Sequence, residues 1–343
     1  MKIKTKIIFV VSSLLLVSCL LFLFVWQGIY LPQNPLGKEK IFAIGKGEGV
    51  REISFHLEKE GLIKSRLFFK IYVLSKGVSR NLQAGNYSLS PSMTIPEIAQ
   101  KIVSGEVTKE KITILEGWNL RDIAHYLENR GISRSKEFLE ITKKDFSEEF
   151  SFLKDKPKNL DLEGYLFPDT YYLPLAFSTI VENTSNEELE EIVRRMLENF
   201  DKKLTPELRE EISRQDKTVF EIVTMASMLE KEVRDFEDKK LVSGILWKRL
   251  ENGIPLQVDA TIAYITGKKT IDIEDLQIDS PYNTYKYKGL PLGPISNPGL
   301  ESIKAAIELE YSDNWYYLST PDGKTIFSKT LQEHNIAKAK YLR

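Results

Sequence analysis

At 343 residues the chain has room for about two domains, and 42% apolar with 28% charged residues suits packed cores. A net charge of -1 gives no electrostatic reason to expect nucleic acid as a partner. The single cysteine, Cys19, excludes an internal disulfide framework. His56, His125 and His334 stand too far apart for an H-x-x-x-H zinc site, so no metal and no cofactor is expected.

The first element is an apolar run at residues 7–27. Ile7 to Trp26 carry no charge, which is long enough to cross ~30 Å of hydrocarbon. Lys2, Lys4 and Lys6 precede it, and the next basic residue is Lys38. That asymmetry predicts a cytoplasmic tail at 1–6, a single pass through the cell (inner) membrane and an extracytoplasmic, periplasmic-side bulk. The stretch "LVSC" at 16–19 also fits a lipoprotein processing box. Leu20–Trp26 stay apolar where a polar tether would begin, so the uncleaved anchor is the expectation.

A linker with Pro and Gly follows at 28–40, and then the chain repeats itself at an offset of 70. Gly47 matches Gly117, Ile53 matches Ile123, Leu57 matches Leu127, Gly61 matches Gly131 and Phe68 matches Phe138. Each copy reads as strand, turn, helix, glycine stop and a second helix behind a serine cap at Ser65 or Ser135. A weaker copy lies at "MTIPEIAQKIVSGEV". The unit resembles LysM-like modules, which bind N-acetylglucosamine-containing glycans; a plain packing scaffold fits the same residues. The expected organisation is a module at 41–107 and a larger domain at 108–343 holding the second copy at 112–142.

Within that domain, "NLDLEGYLFPDTYYLP" sets Glu163 beside an aromatic run, a pairing that suits a sugar and equally an ordinary buried strand. A charged stretch from Glu182 to Lys217 predicts helix with one solvated face. Next, "VFEIVTMASMLEKEV" puts Val219, Val223, Ala226, Glu230 and Val233 on one helical stripe. An unpaired carboxylate there costs of order several kcal/mol or stays protonated. Glu232 falls on the opposite side, expected to be exposed. A second helix runs to Leu250 and stops at Asn252-Gly253.

The segment "PLQVDATIAYITG" alternates as a strand would, with Gln257, Asp259 and Thr261 on one face. The run "SPYNTYKYKGLPLGPISNPG" at 280–299 is a long loop stiffened by proline and glycine. It presents Ser280, Tyr282, Asn283, Thr284, Tyr285, Ser296 and Asn297 as candidate walls of a polysaccharide cleft. Asn297-Pro298 is expected to cap the helix that follows. Competing motifs are incomplete: "SFLK" at 151 lacks the S-D-N and K-T-G partners of penicillin-binding enzymes, and "DGKT" at 322 lacks the upstream glycine of a phosphate loop.

Taken in order, "EGYLFPDTY", "ASMLEKE", "LQVDATIAY", "SPYNTYKYKGLPLGPISNPG" and "TLQEHN" resemble the endolytic murein transglycosylases of the YceG-like family, across essentially the full length. Ala260 and Leu292 stand where prolines are usual, Glu308-Leu309-Glu310 replaces a helix-ending Asn-Pro, and Thr325 replaces a common histidine. The resemblance implies an α+β fold: a transmembrane helix, LysM-like modules and a mixed α/β catalytic domain. It implies a lyase that cleaves the MurNAc–GlcNAc bond within peptidoglycan strands and leaves 1,6-anhydro ends, with Glu230 as the single acid and base. Glu163, Gln257, Asp259, Thr261 and the loop residues above are the expected substrate contacts. Peptidoglycan synthases and the division or elongation machinery are the expected protein partners. The rival class is a membrane-tethered, non-catalytic glycan-binding scaffold of the cell wall.

Overall fold

The computed structural model describes residues 2–45, 47–174 and 186–342. The chain divides into two compact units, Met1–Lys111 with Tyr172–Thr179, and Ile112–Tyr171 with Ile180–Arg343. Each is taken by itself.

The first unit opens with helix α1 (Lys2–Tyr30), of which Ile8–Tyr30 is long and apolar enough to cross a membrane, a test that a signal sequence near an N-terminus also passes. Its last turns also join a core, where Ile29 is buried and Val25 partly so. Strand β1 (Lys40–Ile44), helices α2 (Val50–Lys59) and α3 (Arg66–Ser75), strand β2 (Gly85–Leu89) and helix α4 (Ile95–Ser104) complete the unit. The strands pair antiparallel, Lys40 opposite Leu89 and Ile44 opposite Gly85. Alternation turns Phe42, Ile44, Tyr87 and Leu89 inward. Ser65 caps α3 through the Leu67 N–H, and Thr94 with Glu97 forms a reciprocal capping box on α4.

Strand β3 (Lys109–Thr113) pairs with β4 (Thr170–Pro174), and the chain passes along them from one unit into the other. Beyond β3 come α5 (Leu120–Asn129) and α6 (Ser135–Ile141), so the second copy repeats the strand–helix–helix order of the first. Gly47 and Gly117, and Gly61 and Gly131, all take positive φ, as a repeated turn requires. The second serine is not a cap: Arg134 occupies that place, and the Ser135 hydroxyl donates to Glu128 at 2.7 Å.

The charged stretch forms α7 (Asn186–Lys203) and α8 (Pro206–Arg214), with Leu189, Ile192, Val193, Met196, Leu197 and Phe200 making the buried stripe of α7. Residues 182–185 of that prediction lie outside the described residues. Helix α9 (Val219–Glu232) is buried all round from Ile222 to Leu229 rather than along one stripe, because α8, α10 (Phe236–Glu251) and α12 (Leu300–Ile307) surround it. The expected strand near Gln257 is helix α11 (Asp259–Thr266). Gln257 has φ +57, which ends the extended chain. Val258, Thr261 and Ile262 then bury at helical spacing. A β-hairpin, β5 (Tyr316–Ser319) with β6 (Thr325–Ser328), and α13 (Leu331–Tyr341) close the unit. The result is a mixed fold of helices and two-stranded sheets.

Candidate active site

Glu230 lies in the last turn of α9, before Val233 turns extended. Its Oε2 accepts the Gly299 N–H at 2.9 Å and the Ser302 hydroxyl at 2.7 Å. Lys239 Nζ, from the first turns of α10, stands 3.6 Å from Oε1, and the two side chains are only 4% and 10% exposed. Gly299 is the N-cap of α12, so the carboxylate also meets the positive end of that helix. The expectation of a glutamate among apolar side chains therefore gives way to a carboxyl held by two hydrogen-bond donors and a buried ammonium. The helical stripe located the residue but said nothing of α10 and α12, which bring the partners.

Two loops hold this arrangement. The Gly117 N–H donates to Asn297 O at 2.9 Å and the Asn297 N–H to Trp118 O at 2.7 Å. Gly117 has φ +76, and a Cβ there would meet Glu230 Cγ at 3.5 Å. Beside it, Glu116 packs its carboxyl against Gly299, where a Cβ would come within 2.0 Å of Oε1. Burial first, then the charge of Glu230, raises the Glu116 carboxyl above the usual range, with Lys239 opposing. Sequence reading missed Glu116. The signal was the second copy itself, which puts a carboxylate where the first has Lys46, directly before the shared glycine.

Glu232 is not exposed. Its Oε1 accepts the Ala260 N–H at 3.2 Å at the start of α11, and its Oε2 accepts the Tyr317 hydroxyl at 3.3 Å. Burial, with the nearby Asp259 charge, pushes its carboxyl up to about 7. Asp259 in turn accepts the Tyr285 hydroxyl. Glu230 and Glu232 line one cleft of about 250 Å³ together with Arg234, Ser319, Thr320 and Thr325.

Other predicted residues gather elsewhere. Glu163, Ser280 and Tyr282 line a second cavity of about 590 Å³ with Arg121, Asp161 and Tyr264. Both Glu163 oxygens accept the Leu120 N–H, at 3.1 and 3.2 Å, and Tyr264 donates at 3.3 Å. Burial raises this carboxyl to about 8 despite the Leu120 N–H. The Tyr264 and Tyr282 rings lie 5.0 Å apart, and the Arg121 guanidinium sits 5.0 Å over Tyr264.

Thr261, Asn283, Thr284, Ser296 and Asn297 are buried, and they spend their hydrogen bonds on the walls themselves. Asn283 takes the Tyr285 and Lys286 N–H groups and donates to the Leu276 and Ile278 carbonyls. Thr284 accepts the Val258 N–H and meets Thr261, and Ser296 donates to Ser227 O. Asn297 does not cap α12. It accepts the Leu166 N–H at 2.8 Å and donates to Trp118 O and Glu163, tying three segments together. Gln257 is exposed, its amide oxygen 3.5 Å from the Arg249 guanidinium.

Residues 42–340 match the YceG-like family. A protein of Bacillus subtilis (strain 168) named endolytic murein transglycosylase is 35% identical over 312 residues, which cover 87% of this chain and 84% of that one. A protein of the same name from Streptococcus pneumoniae (serotype 2, strain D39) is 33% identical over 322 residues, 85% of this chain but 56% of that longer one. The crystal structure of a yceG-like protein from Listeria monocytogenes aligns with a TM-score of 0.58 at 33% identity, over 88% of this chain and 100% of that chain. With a family match over most of its length and relatives at this identity, the chain belongs to the YceG-like family.

Proposed function

We propose that the chain is an endolytic peptidoglycan lytic transglycosylase in which Glu230 is the acid and base. The observation that carries the reading is the seat of Glu230: a buried carboxyl at a cleft, on a helix end, with its donors already in place. The relatives' shared name supplies the reaction class. Protonated Glu230 gives its proton to the glycosidic oxygen as the bond from the MurNAc anomeric carbon breaks. The carboxylate then takes the proton of the C6 hydroxyl, whose oxygen closes the 1,6-anhydro ring on that carbon. The Gly299 N–H, the Ser302 hydroxyl and Lys239 stabilise the carboxylate between the two transfers. Because the nucleophile belongs to the sugar, the pair of carboxylates used by hydrolases is not required.

On the same reading α1 is a single-pass anchor with its N-terminus in the cytoplasm, and residues 41–107 are a LysM-like glycan-binding module before the catalytic domain at 108–343. Tyr285, Asp259 and Gln257 contact substrate beyond the cleft, on the side of Glu232 where the Asp259 charge lies, and Glu163, Ser280 and Tyr282 form a further stretch of glycan contact. Peptidoglycan synthases and division or elongation proteins are the partners this role calls for. A tethered, non-catalytic scaffold is the second reading, favoured by the complete set of partners around Glu230, which a purely structural glutamate also has. Mass analysis of fragments released from purified sacculi separates them. Anhydro ends from the unaltered protein and none from Glu230→Gln support catalysis; no release by either sinks it.

A further inference from the structure

Helix α3 is fastened to the end of the apolar run. The Phe24 and Phe68 rings meet edge-on at 5.6 Å, and Tyr30 meets Tyr72 at 6.5 Å. Gly28 leaves the space that Phe68 fills, for a Cβ there would come within 2.3 Å of its ring. These contacts span Phe24 to Tyr30, ~9 Å of helix at the end of the stretch suited to hydrocarbon. On α3, Phe69 and Val73 face the core of the unit and Phe68 and Tyr72 face α1. A third face carries Leu67, Ile71 and Leu74, at spacings of four and three and 58%, 38% and 64% exposed. Scattered exposed leucines need no explanation, but a helical stripe of three beside a membrane-length helix does.

The neighbouring surface is basic. Arg66 and Lys70 of α3 join Arg51, His56 and the half-exposed Phe55 around a cavity of about 500 Å³. Its one acid, Glu52, is committed to the Gly49 N–H. Arg66 lies 3.7 Å from Glu58 and the His56 ring 3.6 Å from Glu48, whereas Arg51 and Lys70 form no ion pair among the described residues.

We propose that α3 lies in the headgroup layer of an anionic bilayer. Leu67, Ile71 and Leu74 enter the upper acyl region, and Arg51, Arg66 and Lys70 bind lipid phosphates. The inference rests on the reading of α1 as a membrane span. The membrane is the occupant because the stripe continues from the span through the Phe24–Phe68 and Tyr30–Tyr72 contacts, and because the cations beside it complement a negative leaflet. The first unit then meets the bilayer through α3 as well as through α1.

The test uses the full chain with Cys19→Ser, carrying one fluorescent cysteine conjugate at Leu15, Leu67, Ile71, Leu74 or Lys59. The protein is reconstituted in phosphatidylglycerol–phosphatidylcholine vesicles containing doxyl-labelled lipid. Quenching at Leu15 and at all three α3 positions, severalfold above that at Lys59 of α2, is the expected result. Quenching at Leu15 with α3 at the Lys59 level overturns the inference and leaves the span intact. No quenching at Leu15 overturns the span itself. Equal α3 quenching in vesicles of phosphatidylcholine alone removes the role given to the three cations.

Discussion

Glu230 and Glu232 sit two residues apart at the end of α9 and line the same cleft, yet different elements hold them. Glu230 is bound by the start of α12 and by Lys239 of α10, Glu232 by the start of α11 and by Tyr317 of β5. A substitution at one is therefore not a control for the other.

Glu232→Gln should change the pH profile of cleavage. The carboxyl titrates at about 7, so the cleft gains a negative charge as pH rises through neutrality. Rates of anhydro-muropeptide release measured from about pH 5 to about pH 9 should inflect near neutrality in the unaltered protein. The inflection should vanish in the variant, and an unchanged profile would show that Glu232 is electrically silent in turnover.

Glu230→Gln should lose ~10²–10⁴ in rate. It should also lose stability, by ~3 kcal/mol, because Lys239 is left buried without its carboxylate. Adding Lys239→Met should recover much of the melting temperature and none of the activity. If the single variant melts like the parent, the ion pair contributes nothing and its part in the fold is wrong.

Gly299→Ala tests the crowding around the acid. The new methyl would land on the Glu116 carboxyl, which must move away or push the start of α12 off Glu230. A loss of up to ~10² in rate is expected from misplacement of this size. Glu116→Ala in the same chain should restore most of it, and a double variant no better than the single rejects the geometry.

Stability should fall as pH rises. Glu163 and Glu232 have folded-state values of about 8 and about 7, above those of the unfolded chain. Between the unfolded value and the folded one, the folded state binds more protons, so each raised group contributes stability that is complete below the unfolded value. That contribution disappears as pH passes through about 7 and about 8. Thermal unfolding from about pH 5 to about pH 9 should show a declining melting temperature, and Glu163→Gln should flatten the upper part of the decline. A flat curve for the unaltered protein counts against both shifts.

Local patterns in the sequence translated well where the physics is local. The glycines of the repeat, the Ser65 cap and the apolar face of α7 are each decided within a few residues. The alternation at Gln257, Asp259 and Thr261 reads as strand, but Gln257 at positive φ ends the extended chain and a helix starts at Asp259. The surroundings of Glu230 come from residues far along the chain, at Gly117, Lys239 and Ser302, and no periodicity within α9 reports them. Asn297 looked like a helix cap for the same reason, since its true partners, Leu166, Trp118 and Glu163, arrive from more than a hundred residues away.

The two copies of the repeat make the same turn with Gly47 and Gly117, at φ +88 and +76, but in opposite surroundings. Beyond Gly47 a Cβ would meet nothing within 4 Å, whereas beyond Gly117 it would touch Glu230. One backbone shape has thus been inherited twice, and in only one place has it acquired a neighbour. The first glycine answers only to its own dihedral angle, so asparagine, which tolerates that region, is the natural replacement there. At the second, any side chain must also share its space with Glu230, so the same substitution meets a backbone restraint in one copy and a backbone restraint plus a packed carboxyl-bearing neighbour in the other.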